Sequence, residues 1–138
     1  MLAAMAALAV AGAIVAGPAY SEGDFVGRAE RLEPLLLDAA GGFSWSEAHL
    51  VTGTYYRWRI ESDGREEYKL VAPDLFANAW VHQVYIENRE VKPMGLNAVE
   101  FDSAGAIDVW FVPLRPDTYP FQVEGLEADG FRGTFIVE

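Results

Sequence analysis

Apolar side chains alternate with other residues along the closing stretch of the chain, residues 118–138. The apolar positions of this period are Tyr119, Phe121, Val123, Phe135 and Val137. Since successive side chains of a strand point to opposite faces, a period of two is typical of half-buried strands. We therefore predict a strand at 118–123, a loop at 124–129 and a final strand at 131–137. Gly125, Gly130 and Gly133 punctuate this stretch and permit a close backbone approach there.

The same period marks two earlier segments, 55–61 and 66–72. Their apolar positions are Tyr56, Trp58 and Ile60 in the first and Tyr68, Leu70 and Ala72 in the second. The residues Ser62-Asp63-Gly64-Arg65 between them favour a turn. A hairpin with a three-residue loop and a bulge avoids burying charges, so we expect the pairs Ile60–Tyr68 and Trp58–Leu70.

Shorter segments complete a β-rich pattern after Phe43. Further strands are predicted at 47–51, 80–86, 89–92, 97–101 and 107–112, with one helical turn begun by Pro73. About seven or eight short strands at this spacing indicate an all-β sandwich or barrel. No internal repeat interrupts the pattern.

The segment 22–42 follows a different period. Its apolar residues Phe25, Ala29, Leu32 and Leu36 recur at helical spacing. Pro34 predicts a kink or a junction of two short helices, and Gly41-Gly42 predicts a stop. We expect a helical extension at 22–42 followed by a single β domain at 43–138.

Residues 1–21 are apolar, small and uncharged. Ala19 and Ser21 supply small residues at the first and third positions of a cleavage site, so we favour a cleaved export signal over a lipid anchor or a buried helix. No Lys or Arg precedes Arg28, so the basic start of such a signal is missing. The run is too short and small for a strong membrane span. The mature chain would begin at Glu22, lack a membrane span and be periplasmic or secreted.

Charge and cysteine content exclude several functions. The chain holds 21 acidic and 10 basic residues, for a net charge of −11. Such acidity argues against nucleic acids and anionic membranes as partners and leaves a metal ion or a protein partner, or simply a solvated acidic surface. The absence of cysteine excludes disulfides, thiolate metal sites and Cys nucleophiles.

Four segments together resemble the cupredoxins, the plastocyanin-like blue copper proteins. They are Tyr119–Val123 with Gly130–Val137, Asn78–Ile86, Glu100–Asp102 and Phe111–Pro113. The likeness spans roughly residues 45–138. It implies a Greek-key cupredoxin-like sandwich of about seven or eight strands behind the helical extension.

The resemblance also implies where copper ligands would stand. The family's closing loop supplies Cys, His and Met, and those positions are Val123, Leu126 and Phe131 here. Only His82 matches a ligand, the family's first copper histidine. A blue-copper centre needs a thiolate, so the resemblance implies a degenerate site without electron transfer.

Two residues remain as candidate metal ligands, His82 and Met94. An imidazole and a thioether could hold copper weakly or serve its delivery, with oxygen ligands drawn from nearby acids. Those acids are Glu87, Glu90, Glu127 and Asp129. The alternative is a partly buried, hydrogen-bonded His82 with Met94 as a core or loop filler. His49 is expected on a strand surface.

The chain shows no Ser-His-Asp order, phosphate loop or metalloprotease motif, so we expect no catalysis. The acids Glu124, Glu127 and Asp129 could steer a partner, and the out-of-phase aromatics Tyr55 and Trp110 could mark an interaction surface. The sequence thus predicts an exported, copper-related binding protein. The alternative is a metal-free cupredoxin-like protein-interaction module in the periplasm.

Overall fold

Two β-sheets pack face to face in the computed structural model, which describes residues 27–138. In chain order the strands are β1 (Glu30–Arg31), β2 (Leu35–Asp38), β3 (Gly42–Phe43), β4 (Glu47–Leu50), β5 (Tyr56–Ser62), β6 (Tyr68–Val71), β7 (Ala79–Ile86), β8 (Arg89–Val91), β9 (Ala98–Phe101), β10 (Gly105–Pro113), β11 (Asp117–Val123) and β12 (Arg132–Val137). Helix α1 (Pro73–Ala77) follows β6, and a 3₁₀ turn (Glu127–Asp129) joins the last two strands. The predicted export signal, 1–21, lies outside the described residues.

The larger sheet has seven strands in the order β3-β2-β5-β10-β7-β8, with β1 also paired to β5. The smaller sheet has five strands in the order β4-β12-β11-β6-β9. This arrangement confirms the predicted all-β sandwich. There are more strands than predicted because β1, β2 and β3 form in the segment that was expected to be helical or at its end.

The closing stretch folds as its period predicts. β11 and β12 pair antiparallel, with Tyr119 opposite Phe135 and Phe121 opposite Gly133. The predicted loop between them holds the 3₁₀ turn, which ends at Gly130 in a left-handed conformation (φ 88°). The carbonyl of Gly130 accepts a hydrogen bond from the Phe43 amide at 3.1 Å, so this loop ties the smaller sheet to the larger one.

The predicted helical extension is wrong for the described part of 22–42. β1 and β2 pair parallel with β5, with Leu35 beside Ile60. Leu35 and Leu37 are buried while Leu36 is 45% exposed, so the period is two and not that of a helix. Leu35, Leu36 and Leu37 are consecutive, so they are compatible with the helical period as well as with the period of a strand. The strand conformation is favoured because the free edge of β5 offers hydrogen-bond partners for the backbone of this segment.

The predicted hairpin between 55–61 and 66–72 is also wrong. β5 and β6 lie in different sheets, and the expected partners are separated. The observed pairs are Ile60–Ile107, Trp58–Val109, Tyr68–Phe101 and Leu70–Val99. The apolar faces themselves are as predicted, because all these core residues are buried. Alternation predicts which face is buried but carries no information about the neighbouring strand.

Two local predictions are confirmed. Pro73 begins α1, where the missing amide of proline costs nothing. Glu87 and Asn88 both adopt positive φ (46° and 63°) in the turn between β7 and β8. Such a two-residue turn matches the twist of a hairpin. Within residues 27–138, no helix has the length and apolarity needed to cross a membrane.

Gly133 gives the first testable prediction. An added Cβ would lie 2.7 Å from two carbons of the buried Phe121 ring, which packs over this glycine. Gly133→Ala therefore overpacks the core, and we expect it to lower the free energy of unfolding by about 1–3 kcal/mol. Urea denaturation followed by Trp fluorescence measures the change.

Gly95→Ala is the matched control for this substitution. A Cβ at Gly95 has no atom within 4 Å, and its backbone does not require a glycine. Equal stability losses in the two variants would contradict the packing role of Gly133.

Candidate functional site

The positions that match the family's closing-loop ligands lie in the interior or at its edge. Val123 and Phe131 are buried, and Leu126 packs against the same core. The Phe131 ring contacts Tyr68 at a centroid distance of 5.3 Å and Phe43 at 5.5 Å. Hydrocarbon side chains have no lone pair for a metal. These residues therefore do not fit a blue-copper ion.

His82 lies on the other sheet, at a bulge in β7. Trp110 of β10 is opposite Gln83, but the next residue, Phe111, is opposite Val81. His82 is thus the extra residue of the bulged strand. Val81 and Val84 point into the core, and His82 and Gln83 between them are only half-buried. The imidazole consequently belongs to the outer face of the larger sheet.

Three neighbours hold the His82 ring. The Tyr55 hydroxyl lies 2.6 Å from Nδ1, and Lys92 Nζ lies 3.3 Å from Nε2. The Trp80 ring stacks on the imidazole at a centroid distance of 5.0 Å with an interplanar angle of 22°. Both ring nitrogens are therefore already engaged by protein groups.

Lys92 determines the tautomer of this ring. Its ammonium group donates to Gln83 Oε1 at 2.7 Å, pairs with Glu90 and faces His82 Nε2. An ammonium has only donors, so Nε2 must accept. We assign the remaining proton to Nδ1, which then donates to the Tyr55 oxygen. The three donors of Lys92 match three acceptors.

The electrostatic surroundings favour the neutral imidazole. Partial burial and the positive charge of Lys92 lower the pKa of His82, and Glu90 offsets part of that effect. Burial and the negative charge of Glu90 raise the pKa of the Tyr55 hydroxyl. The phenol and the imidazole are both uncharged at neutral pH.

Apart from Glu90, which pairs with Lys92 beside the ring, the other predicted ligands take no part in the contacts of His82. Met94 is fully exposed in the loop after β8, and Glu87 pairs with Arg89. His49 is exposed on β4 and bonded to Glu47, as expected for a strand surface. In the closing loop, Glu127 accepts a hydrogen bond from Gln122, and Asp129 is exposed. Metal binding by His82 and Met94 stays a prediction.

A second constellation of the outer face was not predicted. Asp108 is 3% exposed, and its two carboxylate oxygens accept from Arg57 Nε at 3.0 Å and Arg59 Nη1 at 2.9 Å. The Arg57 guanidinium lies over the Trp110 ring, 5.1 Å from its centroid. The sequence signal for this site was a charged residue, Asp108, between the apolar residues Ile107 and Val109 of one strand. The partners are too far apart in sequence to be found from it.

Three exposed carboxylates converge beside the smaller sheet. Oxygen atoms of Glu67, Glu100 and Asp102 lie within 4.8 Å of one another. The pKa of Glu67 is raised, first by its hydrogen bond to Glu100 and then by the negative charge of Asp102. The neighbouring carboxylates therefore favour the protonated form of Glu67.

The comparisons with known proteins define the class of this fold. No protein-family model and no curated protein matches the sequence. Solved structures do match, and the class they share is a β-sandwich found in copper proteins. The chain has a cupredoxin-like fold, which confirms the resemblance in the sequence.

Three solved structures illustrate the likeness. A multicopper oxidase from Campylobacter jejuni has a TM-score of 0.55 and 8% identity, with 80% of this chain and 30% of that chain covered. The auracyanin of Roseiflexus castenholzii has a TM-score of 0.53 and 14% identity, with 76% and 94% covered. The copper nitrite reductase of Nitrosomonas europaea has a TM-score of 0.52 and 14% identity, with 69% and 33% covered. The chain thus spans under a third of the oxidase but nearly all of the auracyanin.

Asp108 gives a prediction for the stability of the outer face. Asp108→Asn leaves Arg57 and Arg59 without their shared carboxylate, so we expect a loss of about 2 kcal/mol in the free energy of unfolding. Urea denaturation at neutral pH measures it. Asp129→Asn, at an exposed position, is the control. A loss below that of the control would refute the structural role of the carboxylate.

The pKa of His82 gives a third prediction. Lys92→Met removes the positive charge, so the pKa should rise toward its ordinary value of 6.5, whereas Glu90→Gln should lower it further. An NMR titration of the ring protons measures both. Because the folded pKa is depressed, the unfolded chain binds more protons as the pH falls through 6.5, and this group lowers stability there. Shifts of the opposite sign would disprove the assigned neighbours.

Proposed function

We propose that this chain is a metal-free cupredoxin-like binding module, exported to the periplasm or secreted, that carries out neither catalysis nor blue-copper electron transfer. One observation carries the proposal. The histidine that matches a copper ligand is engaged at both ring nitrogens, by Tyr55 and Lys92. The other ligand positions are apolar.

A metal ion at His82 would have to overcome two obstacles. It would need to displace Lys92 from Nε2, and that ammonium group is also bonded to Gln83 and Glu90. It would then lie beside a positive charge that repels it. Since Nδ1 faces the Tyr55 hydroxyl, no second nitrogen is open.

The outer face of the larger sheet is the surface best suited to binding. It presents Tyr55, Arg57, Trp80 and Trp110, residue types that supply much of the binding energy at protein interfaces. The acidic loop end is less suited, because Glu124 already pairs with Lys69. We therefore assign the binding role to the outer face.

A second candidate is the copper-related role that the resemblance implies. It is favoured by the partial exposure of His82 and by the copper proteins among the similar structures. In this role His82 would hold copper weakly after Lys92 moves away, and the exposed thioether of Met94 would assist.

Calorimetric titration of Cu(I) and Cu(II) into the full chain separates the two candidates. For the unchanged protein we expect no His82-dependent binding tighter than about 1 mM. Lys92→Ala frees Nε2 and should gain Cu(II) binding, which the double variant His82→Ala/Lys92→Ala should lose. His49→Ala, at an exposed histidine, is the control. Tighter binding by the unchanged protein that disappears in His82→Ala would establish the copper role instead.

A further inference from the structure

A cleft opens on the outer face where β1 and the start of β2 meet β5. It encloses about 340 Å³. Its lining residues are Arg31, Leu32, Pro34, Arg57 and Arg59. The parallel pairing of β1 with β5 places Arg31 directly beside Arg57. Three guanidinium groups and two apolar side chains therefore line one concavity, of a volume at the small end of ligand pockets.

Two of the three arginines, Arg57 and Arg59, are held in place by neighbouring side chains. Asp108 fixes both Arg57 and Arg59, and Glu61 accepts from Arg59 Nε at 2.6 Å. Trp110 lies under the Arg57 guanidinium. Side chains held by such contacts lose little further conformational freedom when a ligand binds.

Hydrogen-bond donors remain for a ligand. Arg57 uses only Nε toward Asp108, so both its terminal nitrogens are unused by the described residues. No ion pair among residues 27–138 involves Arg31. Counting the three arginines against Asp108 and Glu61 leaves one positive charge here, in a chain whose net charge is −11.

From this geometry we infer that the cleft binds a small organic anion, with a carboxylate or phosphate group on the arginines and an apolar body on Leu32 and Pro34. Guanidinium groups bind both oxyanions through paired hydrogen bonds, so the two classes share one recognition chemistry. The inference rests on the proposed binding role of the outer face and names the ligand class for it.

The test uses benzoate and phenyl phosphate as probes, titrated into the full chain by NMR at low salt. We expect at least one of them to bind with a Kd of about 1 mM or tighter. Binding of phenyl phosphate alone would identify a phosphate ligand, and binding of benzoate alone would identify a carboxylate ligand. Benzamide, which has the benzoate shape without its charge, should not bind. Failure of both anions, or equal binding of benzamide, would overturn the inference.

Arg31 variants locate the site. Arg31→Gln should weaken binding about tenfold or more, since it removes a charge-assisted pair. Arg31→Lys should restore part of the affinity, because it keeps the charge but not the planar fork. Arg132→Gln is the matched control, an exposed strand arginine of the other sheet. Equal weakening in the control would overturn the assignment to this cleft.

The two proposals fail separately. Copper binding that depends on His82 would refute the metal-free role, whatever the anions do. Absent anion binding together with absent copper binding would refute only the cleft.

Discussion

The packing of the two sheets against each other depends on the contacts of the Phe121 ring. It extends from β11 and lies 4.8 Å from the Phe135 ring within the smaller sheet. Across the core it reaches Trp58 at 5.4 Å and Phe43 at 5.3 Å, both in the larger sheet. Each aromatic pair contributes about 0.5–1.5 kcal/mol beyond the burial of its area. The missing side chain of Gly133 is what lets the ring lie flat against β12.

The same packing fills the positions of the closing-loop ligands with hydrocarbon. At two positions where the sequence resemblance implies copper ligands, Val123 and Phe131 extend the apolar core, so burial supplies the stabilisation there. His82 avoids this interior because of the bulge. Counting back from buried Val84 by twos would turn His82 inward, and the extra residue turns it outward to Tyr55. Polar chemistry is thereby moved from the interior to the outer face.

The sequence predicted the buried faces of the strands and the positions of the turns better than it predicted which strands pair. The burial of Trp58 and Tyr68 followed from alternation alone, but their strand neighbours did not, because every alternating strand is an acceptable partner for every other. The spacing of Leu36 fitted a helix, but pairing with the free edge of β5 makes the strand more favourable. The pairing of Asp108 with Arg57 spans 51 residues, and no local pattern encodes such a distance. The Asp108 constellation was missed for that reason.

Hydrogen-bond direction gives the outer face its chemical character. Lys92 can only donate, so it makes His82 Nε2 an acceptor and leaves the ring proton on Nδ1. The Tyr55 oxygen then accepts from Nδ1, and its own hydroxyl proton is left to donate outward. Arg57, a short way along the same sheet, also has only donors to offer. An exposed surface that presents donors in this way is complementary to acceptor-rich, anionic groups and unfavourable for cations. Under the proposed function, the positive charge of Lys92 disfavours a metal at His82, just as the arginines of the cleft favour an anion.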